Sequence, residues 1–333
     1  MPNQENTQVV SDRILDLSAA FMASKHLFVA SDLGLFEILA DGPKTLEEIR
    51  SRIKLPVRNV RVLADAMTAL GLCIHSGDRY ENSPEATAYL GGNAGTGLRP
   101  FLRFWNRIAY PRWTKLEEAI RSGKPVFGGL KFTEEEQEIF SEGVESITRD
   151  CALALASHYD FGRHQRILDL GGGTGSFLIA LLERFPNLEA TLFETPPVVP
   201  MARKKLENDS VYPKIRIVQG DFFKDPIPEN HDAVLIANVM HSFSPEQNVR
   251  LLRTLRRRVP QKTRLLIIDF WTDHSRTKPL FAAMIVGEFL LYTGVGDVYS
   301  TEQVCDWLVR TGWQPLENSM LIYPETLIVS ESI

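Results

Sequence analysis

The residues with the most chemical potential lie between positions 167 and 270. Ile167-Leu168-Asp169-Leu170-Gly171-Gly172-Gly173-Thr174-Gly175-Ser176-Phe177 puts an acid near the end of an apolar run, then a glycine turn, then a helical pattern through Leu178, Leu181 and Leu182. Glycines let the backbone approach a ligand closely and take positive φ, and the helix start behind them offers unpaired N–H groups. The pattern is that of a small-molecule binding loop. A dinucleotide fingerprint, G-x-G-x-x-G, fails in both registers because its third glycine would fall on Ser176 or Leu178. Glu194 closes the next apolar run, where a carboxylate can accept hydrogen bonds from both hydroxyls of a ribose. Gly220-Asp221-Phe222-Phe223 closes the third, offering an acceptor for an adenine amino group and an aromatic cover for its ring. Together the three run ends fit one adenosyl group without a diphosphate.

These residues need a scaffold that brings run ends together. From Arg166 onward, the short apolar runs RILDL, EATLFE, KIRIVQGD, DAVLIANV and RLLIIDF alternate with helical stretches. That order predicts an α/β fold with a doubly wound, Rossmann-like, mostly parallel sheet, whose ligands lie at the carboxyl ends of the strands. QPLENSMLIY and ETLIVSES read as a closing hairpin at the sheet edge. Upstream, Ser11–Leu39 has helical spacing, Thr45 with Glu48 forms a capping-box pair, a further helix runs from Pro56 to Gly71, and CIHSGDRYENS reads as a small hairpin. Helix, helix and hairpin make a winged-helix-like unit. The reading is therefore a unit over 1–92, an aromatic-rich helical linker over 93–160 and the sheet domain over 161–333.

Composition narrows the function classes. The chain has 333 residues, 44% hydrophobic and 24% charged, which suits a folded globular protein. No uninterrupted apolar run reaches the roughly 18 residues of a membrane span, and the first residues lack the basic and apolar regions of a secretion signal, so a cytoplasmic protein that does not cross a membrane is expected. Three scattered cysteines, Cys73, Cys151 and Cys305, fit neither a disulfide framework nor a metal site, and are expected to be reduced and buried. Net charge is −5, and residues 1–100 carry ten Lys or Arg against twelve Asp or Glu. The helix after Pro56 is dominated by Val57, Val60, Leu63, Met67 and Leu70. An apolar helix in an acidic segment suits a partner subunit and not a phosphate backbone.

Read as a whole, the sequence resembles the class I S-adenosylmethionine-dependent O-methyltransferases of the branch with an N-terminal winged-helix dimerisation domain. That branch includes plant caffeate, animal hydroxyindole and bacterial polyketide and phenazine enzymes. The likeness rests on LDLGGGTG, GDFF, ANVMHSFSPEQNVRLLRTL and GDVYSTEQVCDWLVRTGW, in that order, and spans about Asp12 to Ser332. It implies S-adenosylmethionine as cofactor, a homodimer in which one copy's N-terminal half closes the other's pocket, and no nucleic-acid partner. The expected cofactor-binding set is Asp169, Gly171, Gly173, Glu194, Asp221, Phe222 and Asn238, with no metal.

Methyl transfer to a hydroxyl needs a group that removes the proton. His241 follows the fourth run, at the carboxyl edge, and a histidine titrates near neutrality. The resemblance makes it the general base, in MHSF where relatives carry an L-H-D-W-like motif. Asp269 stands where relatives carry the glutamate that steadies the base. The second catalytic acid of the family would fall at Val298, so that Asp297 takes the role or the role is absent. Ser242 and Ala237 depart from the plant pattern, which points away from lignin precursors. Phe104, Tyr110, Trp113, Phe140, Phe289 and Tyr292 are candidates to sandwich a flat, hydroxylated acceptor. His26, His75, His164, His231 and His274 read as surface residues. Transfer to carbon or nitrogen, or a non-methylating reaction that uses the sulfonium charge, are the alternatives on the same fold.

Overall fold

The computed structural model describes residues 11–92, 97–127 and 132–333; the start of the chain, read above for a secretion signal, lies outside them. The chain divides into two compact units, one formed by residues up to Pro111 with Glu134–Ser146, the other by Arg112–Thr133 with Ile147–Ile333. The stretch 93–160 read as a linker is thus shared between them.

In the first unit, α1 (Asp12–Asp32) and α2 (Leu35–Ala40) lead to β1 (Lys44–Thr45), α3 (Leu46–Ile53) and α4 (Val57–Ala69). The strands β2 (Cys73–Ser76) and β3 (Arg79–Asn82) and the helices α5 (Pro84–Leu90) and α6 (Arg99–Phe104) follow. Thr45 caps α3: its hydroxyl accepts from the Glu48 N–H at 3.2 Å while the Glu48 carboxylate accepts from the Thr45 N–H at 2.7 Å. The three short strands pair in the order β1-β3-β2. Phe36, Ile49, Val60, Met67 and Tyr80 bury one face of these elements in a common core. The α1 helix leaves Ile14, Leu15, Leu17, Phe21 and Met22 exposed. Among the described residues it is also the one helix long and apolar enough to cross a membrane. Arg13, Asp16 and Lys25 divide its apolar residues, so they form no uninterrupted run.

In the second unit, α8 (Leu116–Ser122) follows α7 (Tyr110–Trp113), and the long α9 (Glu134–His158) ends here. The sheet is built from β4 (Arg166–Leu170), β5 (Glu189–Glu194), β6 (Ile215–Gln219), β7 (Ala233–Ala237), β8 (Arg264–Asp269), β9 (Trp313–Ile322) and β10 (Glu325–Ser332), in the order β6-β5-β4-β7-β8-β10-β9. Strands β4 to β8 are parallel, and β10 runs antiparallel to both β8 and β9. Alternate residues feed two cores: Ile167 joins α9, α10 (Ser176–Arg184) and α11 (Val199–Leu206), whereas Leu168 joins α12 (Pro245–Arg256) and α14 (Thr301–Arg310). Helices cover both faces, so β7 reads as the unbroken apolar run Ala-Val-Leu-Ile-Ala, buried throughout. The remaining helix, α13 (Leu280–Tyr292), follows β8.

The two closing runs form a hairpin at the sheet edge, as expected, with β9 outermost and β10 between it and β8, Leu327 and Val329 in one core and Ile328 in the other. The continuous TLIV run of β10 is the signature of a strand covered on both faces. All three cysteines are free thiols; Cys73 and Cys151 are buried, but Cys305 is only half-buried.

Candidate active site

The carboxyl ends of β4, β5, β6, β7 and β8 gather the residues picked out above. After β4 the loop turns through Gly171, Gly173 and Gly175, all with positive φ, and Gly175 caps α10. Asp169 is completely buried beneath this loop, and neither carboxylate oxygen meets a donor among the described residues. Burial, and then the charge of Glu194, push its carboxyl up to about 8. Glu194, at the end of β5, accepts from the Gly173 N–H at 3.0 Å through Oε2. Its Oε1 accepts from the Thr195 N–H at 2.6 Å and the Thr195 hydroxyl at 2.9 Å. A carboxylate offers about four acceptor positions, so capacity remains. A side chain added at Gly173 would meet nothing within 4 Å, which leaves open space over the loop. Orphaned buried acceptors, an acid at the next strand end and open space at Gly173 fit a nucleoside rich in donors.

Past β6, Asp221 accepts from the Phe223 N–H at 2.9 Å and pairs with Lys224 at 2.8 Å; the Lys224 hydrogen bond, then that N–H, hold its carboxyl below the usual range. Phe222, Phe223 and Phe243 form a three-ring cluster with centroids 4.8 to 5.6 Å apart. Phe243 was missed by sequence reasoning, although it stands two residues after His241 in MHSF. Asn238 sits just past β7 with φ of 56°, which asparagine tolerates better than most residues. Its Nδ2 donates to Glu325 Oε1 at 3.1 Å, and its Oδ1 is buried with no donor among the described residues.

His241 lies in the short helical turn Met240–Ser242 after β7. Asn248 of α12, fully buried, donates from Nδ2 to the carbonyls of Met240 and Phe243 at 3.0 and 3.3 Å and so clamps this turn. The Asp297 N–H donates to the His241 carbonyl at 3.0 Å. Glycine is required just before it, since a Cβ on Gly296 would stand 2.3 Å from that same carbonyl oxygen. The imidazole Nδ1 lies 2.7 Å from Asp269 Oδ1, and the His241 N–H donates to Asp269 Oδ2 at 3.2 Å. Asp269 ends β8, is fully buried, and also accepts from the Phe270 N–H at 2.9 Å. An ionised carboxylate only accepts, so Nδ1 carries the hydrogen and Nε2 keeps its lone pair. Such a ring can take up one proton, and the resulting charge would face a carboxylate.

The remaining candidates are placed differently from one another. The Asp297 carboxylate is engaged by Arg276 at 2.6 Å and the Val298 N–H at 2.7 Å; what reaches His241 is its backbone. In the first unit, Phe104 packs edge-on against Phe140, and Tyr110 against Phe28. In the second, Trp113 Nε1 donates to Glu288, Tyr292 lies under the Arg112 guanidinium, and Phe289 stacks on His241. Phe104 and Tyr292 are buried side chains. Two histidines read as surface residues are buried: His164 bonds Tyr159 and His231 bonds Thr191, and burial lowers the pKa of both. Glu325, at the start of β10, was also missed. It is an acid at the head of an apolar strand, accepting from Cys151 Sγ at 2.8 Å as well as from Asn238, and burial pushes its carboxyl up.

Comparison with known proteins places this geometry in a family. Residues 113–313 match the O-methyltransferase domain and residues 15–92 the O-methyltransferase dimerisation domain. The 3-hydroxy-5-methyl-1-naphthoate 3-O-methyltransferase of Streptomyces sahachiroi is 30% identical over 90% of this chain and 88% of its own length. The N,N-dimethyltransferase OxyT of Streptomyces rimosus is 29% identical over 79% of each. Human N-acetylserotonin methyltransferase, solved in complex with its methyl donor SAM, shares the fold with a TM-score of 0.85 at 23% identity, over 100% of this chain and 99% of that one.

Proposed function

The chain belongs to the O-methyltransferase family and is an S-adenosylmethionine-dependent methyltransferase; from that premise we propose that it methylates a phenolic or enolic hydroxyl of a small aromatic or polyketide-like natural product, with His241 as general base. Asp169, the Gly171–Gly173 backbone, Glu194, Asp221, Phe222 and Asn238 would hold the cofactor. When bound, S-adenosylmethionine supplies a methyl group on a positively charged sulfur, which keeps the electron pair of the broken S–C bond. His241 takes the acceptor's hydroxyl proton at Nε2, and the oxygen so freed forms the new O–C bond. Asp269 holds the ring by Nδ1 and faces the imidazolium that results, as the orienting acid of a catalytic triad does. Asp297, its carboxylate bound to Arg276, supports the turn by its backbone.

The observation that carries this reading is the 2.7 Å contact of His241 Nδ1 with a fully buried carboxylate, on the same strand edge as Glu194 and Asp221. The test incubates the protein with labelled S-adenosylmethionine and phenols, beginning with 3-hydroxy-5-methyl-1-naphthoate, which resembles the substrate class of the Streptomyces relative. Expected is a product heavier by one methylene, methylated on oxygen, together with loss of turnover and retained S-adenosylhomocysteine affinity in His241→Ala. Full turnover by His241→Ala would overturn the assignment. The likeness to OxyT supports a second reading, transfer to an amine, in which the same base removes an ammonium proton. A product methylated on nitrogen would establish it.

The exposed apolar face of α1 lies in the segment that matches the dimerisation domain. In this reading a second copy of the chain covers it. Analytical ultracentrifugation should give a dimer that Phe21→Lys weakens; a detergent-dependent monomer would assign the face to a membrane.

A further inference from the structure

Phe289, an aromatic candidate for the acceptor pocket, has a closer engagement than pocket lining. Its ring lies face to face with the His241 imidazole, centroids 4.2 Å apart and planes within 15°. Asp269 grips one edge of the imidazole at Nδ1. A single hydrogen bond still lets a ring swing about its axis, so a second contact on the face is needed to fix the direction of the Nε2 lone pair. Phe289 supplies that contact, and Phe270, next to Asp269, lies farther off at 5.8 Å. The π face of a benzene ring is electronegative and attracts a cation placed over it, so the stack also favours the ring while it carries a proton.

The helix bearing Phe289 is itself held in place. One residue earlier, Glu288 accepts from Trp113 Nε1. One residue before that, a Cβ on Gly287 would come within 2.8 Å of the Trp113 ring, so the helix rests directly on the indole. Arg112 lies over the rings of Phe127, Phe132 and Tyr292, at 4.9 to 5.1 Å, and Tyr292 is the last residue of α13. Among the described residues, the titratable groups facing the imidazole are Asp269 from β8 and Glu325 from β10, with Asp297 held away by Arg276 and Glu288 turned to Trp113. None of the last three reaches the imidazole with a hydrogen bond in the structure.

The geometry points to Phe289 as a positioning residue for the base, which acts on turnover through His241 and contributes little to acceptor affinity. This rests on the reading of His241 as the base. The test is NMR of histidine-labelled protein in complex with S-adenosylhomocysteine, with the His241 signals identified by their loss in His241→Gln. In the wild type the His241 carbon-bound ring protons should be displaced upfield by the stacked benzene, and the Nδ1–H proton should be protected from exchange. Phe289→Leu should lose both features, and Phe289→Tyr should restore them. Unchanged His241 signals in Phe289→Leu overturn the proposal, whatever the enzyme's acceptor. With the naphthoate probe, Phe289→Leu should lower kcat about tenfold with KM nearly unchanged; a raised KM at constant kcat would make Phe289 a lining residue. Failure of the base reading is separate, since it shows as full turnover in His241→Ala while the NMR outcome stands.

Discussion

Two halves of one strand edge treat their acids in opposite ways. Under the glycine loop, Asp169 is buried without a donor among the described residues and Glu194 accepts from the Gly173 N–H and from the Thr195 N–H and hydroxyl. Beside β7 and β8, the buried Asp269 accepts from an imidazole and two backbone N–H groups. An unpaired buried acid costs folding free energy. The first half therefore carries a cost at Asp169, whereas the buried acid of the second half has its partners before anything binds. In the proposed reading, binding and proton transfer fall at separate places along the strand edge, and variants should separate them.

The largest effect should be on turnover. His241→Ala is expected to lower kcat by about 10² to 10⁴ while calorimetric affinity for S-adenosylhomocysteine stays within a few-fold. Glu194→Ala should do the reverse in calorimetry, losing cofactor affinity by about tenfold or more through its buried hydrogen bonds. If both variants lose affinity alike, the two halves are one unit and the comparison fails. Asp269→Asn sharpens it further. An amide can donate to Nδ1 and so select the wrong tautomer, and kcat should fall by about 10² or more with cofactor affinity unchanged. A mild loss would mean that Phe289 and the clamp from Asn248 hold the ring without the acid.

Asp169 offers the next test, read in stability without cofactor. Its folded carboxyl is pushed up to about 8, above its unfolded value, so the folded state holds a proton that the unfolded chain releases. Stability should be highest below about pH 4 as far as this group is concerned and should decline as pH rises to about 8. Asp169→Asn removes that decline. Chemical denaturation should show the variant gaining on the wild type across this window, by an amount on the order of a few kcal/mol. Parallel curves would mean that the acid is ionised and finds a donor in solution.

How far the sequence foretold this site depends on which contacts are local. The glycine turn, the acids at strand ends and the position of His241 follow from residue types at fixed places in an alternating pattern, and the fold class followed from the same alternation. Phe243, Glu325 and the stack of Phe289 on His241 do not, because each depends on segments far apart in the chain: β10 reaches Asn238 only by entering beside β8, and α13 meets the imidazole only after the sheet has formed. The two buried histidines, His164 and His231, were misjudged for a related reason. Each meets a residue distant in the chain, Asp232 lying 3.4 Å from His164 and Thr191 2.9 Å from His231. Polar context marks exposure only when nothing folds over it.

Glu325 gives the smallest expected effect and tests whether the complete half of the edge is truly neutral at its base. Burial pushes its carboxyl up; the hydrogen bonds from Cys151 and Asn238 oppose this, the Asp269 charge adds a smaller push and His241 opposes it. A raised folded value means stability present at low pH and lost as pH climbs from the unfolded carboxyl range toward the folded one. Glu325→Gln keeps an acceptor for Asn238 Nδ2 and cannot ionise. Its stability, followed by chemical denaturation, should match the wild type near pH 4 and exceed it at pH 8. A Gln variant less stable than wild type at pH 8 would show that Glu325 is ionised there. The base would then sit between two negative charges, and the contrast between a waiting half and a finished half would no longer hold.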